Sequence, residues 1–309
     1  MKRDFISLKS YSNSEIAKLL DDALRLKKAK SRVSNQLKGK TIGLIFQKPS
    51  NRTRVSFEVG IHQLGGNCIY LGPEEINLGK RETTSDVAHT LSRYLDGIVA
   101  RTFSHQDVVE LSKFASVPVI NGLTDLSHPC QAMADMLTIK EQFGKLKGIR
   151  FAYVGDGNNV CHSLMIISAK LGVHMTVAHP KGFAPLDKVV DAAREMARDT
   201  GAKITLTTDP KAAVKGVQVI YADTWVSMGQ EEEAKKRLKI FENYQINNKL
   251  VALADKKYIF MHCLPAHRGQ EVTDEIIDGP HSVIFDQAEN RLHVQKAILV
   301  KLLAKGAKK

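Results

Sequence analysis

Residues 41–54 read Thr41-Ile42-Gly43-Leu44-Ile45-Phe46-Gln47-Lys48-Pro49-Ser50-Asn51-Arg52-Thr53-Arg54. An apolar run ending at Phe46 and passing through Lys48-Pro49 into a helix-like stretch predicts a strand, a turn and a helix start. The first backbone N–H groups of such a helix have no partner inside it, and the helix dipole favours negative charge there. Ser50 and Thr53 add hydroxyls, while Arg52 and Arg54 add guanidinium forks that match phosphate oxygens two at a time. The junction is a candidate phosphate site, although Ser and Thr also serve ordinary helix caps.

Working outward, the same strand-then-helix rhythm recurs. Apolar runs at Thr41 to Phe46, Cys68 to Leu71, Gly97 to Ala100 and Val117 to Ile120 alternate with helical stretches beginning near Arg52, Thr84, Gln106 and Pro129. An entry helix precedes them, with Ile16, Leu19, Leu20, Ala23, Leu24 and Leu26 on one 3.6-period face behind Ser12, Asn13 and Ser14. After the polar stretch Gly144-Lys145-Leu146-Lys147-Gly148 the rhythm restarts. Strands are expected near Phe151, Val173, Ile204, Val217, Tyr258 and Val283, and helices near Asn159, Pro185, Glu231 and Val272. Alternation of this kind implies βαβ units. The expected fold is α/β: two doubly wound domains, residues 1–145 and 146–286, each with a central, mostly parallel sheet flanked by helices. Such sheets bind ligands beyond the carboxyl ends of their strands, so the active site is expected in a cleft between the domains.

A second segment, His128-Pro129-Cys130-Gln131, opens the helical stretch Ala132 to Leu137, with Pro129 at a first-turn position where its missing N–H costs little. An imidazole and a carboxamide offer donors without charge, which suits a carbonyl oxygen and an amide nitrogen beside a phosphate. A lone histidine is as readily a satisfied interfacial side chain.

Together these segments resemble the carbamoyl phosphate signature of the aspartate and ornithine carbamoyltransferases. Arg101, closing Leu95-Asp96-Gly97-Ile98-Val99-Ala100-Arg101, resembles the family's carbonyl-binding arginine. Gly155-Asp156-Gly157-Asn158-Asn159-Val160, Asp223-Thr224-Trp225-Val226-Ser227-Met228-Gly229, His262-Cys263-Leu264-Pro265 and Glu289-Asn290-Arg291 resemble the amino-acid half of the ornithine branch. The correspondence runs in order from about Phe5 to the last helix.

The resemblance implies transfer of a carbamoyl group from carbamoyl phosphate to the δ-amine of L-ornithine, giving citrulline and phosphate. It implies Ser50, Asn51, Arg52, Thr53, Asn77, Arg101, His128, Gln131, Cys263, Leu264 and Arg291 as the carbamoyl phosphate site. Asn159, Asp223, Ser227 and Met228 would take ornithine, and Thr53, Arg101, His128 and Cys263 would be catalytic. No metal or organic cofactor is implied, because the phosphoanhydride already activates the carbonyl. The last helix, 287–305, is expected to pack back on the first domain, and a homotrimer with shared sites is expected. Lys80 or Arg81 could then reach a neighbouring subunit. Asn51 stands where threonine is commoner, and Asn77 where many relatives carry glutamine. Another amine as acceptor, or a non-catalytic relative binding anions or nucleic acid, are the alternatives.

Composition fits a soluble two-domain enzyme. The 309 residues are 43% hydrophobic and 25% charged. The formal charge of +12 suits capture of an anionic substrate. Its basic clusters, Lys27-Lys28-Ala29-Lys30 and Lys305 to Lys309, lack the interleaved aromatics of a single-strand nucleic-acid surface. The four cysteines, Cys68, Cys130, Cys161 and Cys263, form no C-x-x-C pair and read as reduced thiols. No apolar run is long enough to span a bilayer and no signal segment is evident, so a cytoplasmic location is expected. Gly155-Asp156-Gly157-Asn158-Asn159-Val160 also invites comparison with a dinucleotide fingerprint, but valine holds the third glycine position and His179-Pro180 follows the next strand.

Overall fold

A computed structural model describes residues 2–76, 78–79, 81–226 and 233–304. The chain divides into two compact units, Met1–Leu137 with Glu289–Lys309, and Thr138–Ala288. The division falls inside a helix, Pro129–Phe143, ahead of the polar stretch 144–148.

The first unit opens with α1 (Asn13–Lys28). Ser12 accepts from Glu15 N–H while the Glu15 carboxylate accepts from Ser12 N–H, a reciprocal cap that starts the helix where the polar run ends. Ile16, Leu19, Leu20 and Ala23 form its buried face. There follow β1 (Thr41–Phe46), α2 (Asn51–Gln63), β2 (Asn67–Leu71), α3 (Pro73–Ile76), α4 (Thr84–Tyr94), β3 (Gly97–Arg101), α5 (His105–Phe114), β4 (Val119–Leu123) and α6 (Pro129–Phe143). The sheet is fully parallel, in the order β2-β1-β3-β4. β3 is buried along its whole length and β1 nearly so, as their continuous apolar runs require. Val87 and Ala88 of α4, Val108 and Leu111 of α5, and Ile45, Ile98, Ala100 and Val119 of the strands share one cluster. Each fully buried Ile, Leu or Val there contributes about 1.5–3 kcal/mol. On the far side of β4, Phe5 N–H donates to Val119 O and Asn121 N–H to Phe5 O, covering that edge.

The second unit contains β5 (Arg150–Val154), α7 (Asn159–Leu171), β6 (His174–Ala178), α8 (Asp187–Thr200), β7 (Ile204–Thr207), α9 (Pro210–Val214), β8 (Val219–Ala222), α10 (Ala234–Phe241), α11 (Asn248–Val251), β9 (Ile259–His262) and α12 (Asp274–Ile277). Its five strands are parallel, in the order β7-β6-β5-β8-β9. The last helix, α13 (Ile284–Leu303), contributes residues to both units.

In each sheet the strand order reverses once, between β1 and β3 in the first and between β5 and β8 in the second. The carboxyl ends flanking those two points are where an open parallel sheet leaves a crevice. Both α/β units follow the expected doubly wound pattern, with one exception near the end. Val283 is not in a strand: Ser282 makes only an isolated bridge with Phe260, and α13 begins at Ile284 instead of Gln287. The apolar run there is too short to extend the sheet, because α12 ends at Ile277 and the next helix follows almost at once. Glu231, near which a helix is expected, lies outside the described residues, and α10 begins at Ala234.

Candidate active site

In the first unit, β1 delivers the chain to Ser50, the N-cap of α2, whose hydroxyl accepts from Thr53 N–H at 3.3 Å. Local chemistry builds this part: an N-cap needs only its next few residues. Asn51 is exposed on the first turn, Arg52 is partly buried and Thr53 is buried. The neighbouring strand β3 ends in Arg101. Opposite it the pairing shifts, Ala100 facing Asn121 but Arg101 facing Leu123, so a bulge in β4 sits beside the arginine. Arg101 is 5% exposed, and its Nε has no hydrogen-bond partner among the described residues.

His128 lies just ahead of α6 and Gln131 in its first turn, both buried. From α13, Arg291 Nη1 donates to Gln131 Oε1 at 2.5 Å and Nη2 to Thr53 Oγ1 at 2.9 Å. Gln131 Nε2 donates to Asp135 Oδ1 at 2.8 Å, which fixes which end of the amide faces Arg291. Three guanidinium groups, Arg52, Arg101 and Arg291, therefore surround His128. Burial first, then Arg291, Arg101 and Arg52, hold the imidazole well below its ordinary pKa. Burial, then Arg291 and Arg52, push Arg101 down to about 10. So concentrated a positive field in a desolvated place attracts a small multiply charged anion. Cys130 is no nucleophile. Burial raises its thiol to about 12, and Sγ donates to Asn121 O at 3.5 Å.

The second unit places its groups at the ends of β5, β8 and β9. Asp223 follows β8 and Cys263 follows β9, and Cys263 Sγ donates to Asp223 Oδ1 at 2.8 Å. Asp223 Oδ1 also accepts from Thr224 N–H at 2.8 Å, and Oδ2 accepts from Asn158 Nδ2 at 2.7 Å. Asn158 caps α7 through Val160 N–H and Cys161 N–H, while Tyr153 OH donates to its Oδ1 at 3.2 Å. Burial, reinforced by Asp223, Cys161, Asp156 and Cys263, raises the Tyr153 phenol well above its usual range, so it stays a donor. Asn159 begins α7 beside this network. Burial raises the Asp156 carboxyl above its ordinary range against the opposing pull of Arg237, which bonds its carboxylate and also donates to Trp225 O at 2.6 Å. Next to Cys263, Leu264 is left-handed at φ 59°, and its N–H donates to His262 Nδ1 at 2.9 Å.

Asn158, Arg237 and His262 are the side chains that motif reading passed over. Asn158 carried a signal, an Asn immediately before a helix. Arg237 carried none, because its partner Asp156 lies 81 positions away. Asn77, Ser227, Met228 and Lys80 lie outside the described residues, and Arg81 is exposed.

The dinucleotide comparison fails on geometry. A Cβ on Gly157 would sit 2.2 Å from Pro185 N and 2.4 Å from the Ala184 carbonyl carbon, and Gly157 N–H donates to Phe183 O. This glycine admits the chain's own backbone, where a cofactor pyrophosphate would need the space. Among the described residues no group of three or more His, Cys, Asp or Glu could hold a metal ion, and no helix is long and apolar enough to cross a membrane.

Two family models match the chain. The aspartate/ornithine carbamoyltransferase carbamoyl-P binding domain covers residues 3–141, and the Asp/Orn binding domain of the same family covers residues 147–302. The chain is 54% identical over 299 residues to the ornithine carbamoyltransferase of Thermococcus kodakarensis, spanning 96% of this chain and 95% of that one. Against the ornithine carbamoyltransferase of Bacillus cereus it is 55% identical over 300 residues, 97% and 94% of the two chains. The solved ornithine carbamoyltransferase from Pyrococcus furiosus superposes with a TM-score of 0.96 at 52% identity, covering 99% and 98%. The anabolic ornithine carbamoyltransferase of Campylobacter jejuni gives 0.93 at 39% identity, covering 98% and 99%. The chain belongs to the aspartate/ornithine carbamoyltransferase family.

Proposed function

We infer that the chain is an ornithine carbamoyltransferase, transferring the carbamoyl group of carbamoyl phosphate to the δ-amine of L-ornithine. The observation that carries this reading is the Cys263–Asp223 pair, a thiol on a carboxylate at 2.8 Å, which suits an ammonium-bearing acceptor. A second carboxylate on the acceptor would instead need basic side chains there.

On this reading Ser50, Asn51, Arg52 and Thr53 hold the phosphate, with Arg291 from the far side and Asn77 as a further contact. Arg101, His128 and Thr53 face the carbonyl oxygen, Gln131 takes the carbamoyl nitrogen, and the Leu264 backbone is a further contact to carbamoyl phosphate. Asn159, Asp223, Ser227 and Met228 take the amino-acid end of ornithine. The δ-ammonium has a reference pKa of about 10.4 and must first lose a proton. Cys263 would take it while passing the thiol proton to the Asp223 carboxylate that already accepts from Sγ. The amine nitrogen then bonds to the carbamoyl carbon, and the carbonyl oxygen gains negative charge against Arg101 and His128. The C–O bond to phosphate breaks, and the second amine proton leaves with the phosphate as HPO4²⁻. Citrulline is the other product. The chain needs no metal or organic cofactor for these steps. Losing one donor to the developing oxyanion costs on the order of 10² to 10³ in rate.

The unit is proposed to work in the cytoplasm as a homotrimer. Four free cysteines suit a reducing compartment. Val55 and Val59, four apart on α2, and Ile69 on the edge strand β2 are exposed apolar groups suited to a subunit contact. Purified protein with carbamoyl phosphate and ornithine should form citrulline, faster than with putrescine or acetylated ornithine. Absence of citrulline, or a faster product from another amine, overturns the assignment. Sedimentation at a monomer mass overturns the trimer.

A further inference from the structure

Among the described residues Leu264 is the non-glycine residue with positive φ. A leucine in the left-handed region is disfavoured by its Cβ, so its surroundings must hold it there. The holding group is the His262 imidazole, whose Nδ1 accepts Leu264 N–H at 2.9 Å. An accepting ring nitrogen carries no proton, which places the ring proton on Nε2. Nε2 lies 3.3 Å from Glu271 Oε1 without a hydrogen bond to it, and neither side chain has any exposure.

Glu271 is itself fastened on two sides. Its Oε1 takes His267 N–H at 2.6 Å, and its backbone carbonyl takes Ile246 N–H at 2.9 Å. The histidine backbone is fixed too: His262 N–H donates to Gln287 Oε1 at 2.9 Å, and Gln287 Nε2 reaches Tyr221 OH at 3.2 Å. His262 pairs with Ala222 across β8 and β9, so the residues that follow them are Cys263 and Asp223, the thiol and carboxylate in contact.

We propose that His262, its tautomer set by the Leu264 N–H on Nδ1, is a positioning residue that holds the left-handed turn at Leu264 and thereby aims the Leu264 backbone and the Cys263 thiol. This deepens the function proposed above and rests on it. The ring accepts a backbone N–H on one nitrogen and faces a buried carboxylate with the other. A histidine serving only to fill the core would have no need of that directed bond to Leu264 N–H.

The two halves of the ring can be separated by substitution. In His262→Asn the side-chain oxygen falls near the Nδ1 position and can accept an N–H two residues on, as in an Asx turn. In His262→Gln the amide reaches toward Glu271 and leaves Leu264 N–H behind. The Asn variant is expected to keep kcat within about threefold of the parent. The Gln variant should lose on the order of 10- to 100-fold in kcat, the scale of a misplaced reacting group. Calorimetric affinity for inorganic phosphate should stay unchanged in both, since Ser50, Arg52 and Thr53 are untouched. Equal turnover in the two variants, or a larger loss with Asn, overturns the proposal. So does a nitrogen-15 NMR spectrum of the parent protein placing the His262 proton on Nδ1, a measurement that does not depend on activity. Failure of the functional assignment reads differently: the parent itself makes no citrulline, while the ring spectrum still tests the clamp.

Discussion

Arg291 Nη2 donates to Thr53 Oγ1 at 2.9 Å across 238 positions of sequence, tying the last helix to the first turn of α2. Its other nitrogen reaches Gln131, so one guanidinium orients groups from two helix starts. Such a bridge makes the proposed anion site a cooperative set, in which removing one member disturbs the rest.

The proposed division of labour predicts opposite kinetic signatures for two variants. Arg52→Ala should weaken phosphate affinity and lower kcat/KM on the order of 10²-fold or more. Cys263→Ser should leave phosphate affinity unchanged and lower kcat by about 10²-fold, the scale of a lost proton-transfer group. Calorimetry with inorganic phosphate and steady-state citrulline assays check both. Equal loss of phosphate affinity in the two variants contradicts the assignment.

His128 gives a pH prediction. Its imidazole is held well below 6.5 in the folded protein by burial and three arginines, whereas in the unfolded chain it titrates normally. Below pH 6.5 the unfolded state therefore binds a proton that the folded state refuses. Stability is present above 6.5 and falls as the pH drops, by up to about 1.4 kcal/mol per pH unit from this group. His128→Gln removes the term. Denaturant midpoints at pH 7 and pH 5, in phosphate-free buffer, should differ less for the variant than for the parent; an identical pH slope in both refutes the assignment.

Gln295, on α13, has no exposure, and neither amide atom has a partner among the described residues. A buried unmade amide costs roughly 1–3 kcal/mol. Gln295→Met keeps the shape and removes the polar atoms, so it should raise stability by about 1–2 kcal/mol. Thermal and urea unfolding of the variant would show the gain, and a lowered midpoint would mean that the carboxamide is satisfied.

Legibility of the site followed the range of the interactions that build it. The strand-to-helix junction with Ser50 capping at Thr53 could be read because a junction and its cap are chemistry between near neighbours in sequence. The α/β alternation was readable for the same reason, and Val283 misled because a short apolar run looks alike whether it pairs or only bridges. Arg101 was visible as a strand end, but the bulge that sits beside it depends on Asn121 and Leu123 in the adjacent strand. Partner choice over long separations left no local mark. Asn158 on Asp223 and Glu271 facing His262 each join elements whose spacing says nothing about contact. These contacts come from where the sheet order brings strand ends together.

The Arg237–Asp156 pair supplies the last test. Arg237 is buried, bonded to the Asp156 carboxylate and to Trp225 O, with its guanidinium carbon 4.8 Å from the Phe183 ring centroid. Asp156 belongs to the turn that carries Asn158, and Asn158 holds Asp223. Removing one member leaves the other charge buried, which typically costs 3–5 kcal/mol, roughly, whereas removing both can be nearly neutral. Arg237→Met is therefore expected to lose about 3 kcal/mol or more of stability, and Arg237→Met with Asp156→Leu to recover part of it. Turnover should not recover with stability, because the turn that aims Asn158 at Asp223 has lost its anchor. The double variant should show a raised KM for ornithine with unchanged phosphate affinity. A double variant as unstable as the single one would mean that Arg237 acts through Phe183 and Phe241 packing, and a normal ornithine KM would disconnect the pair from Asp223.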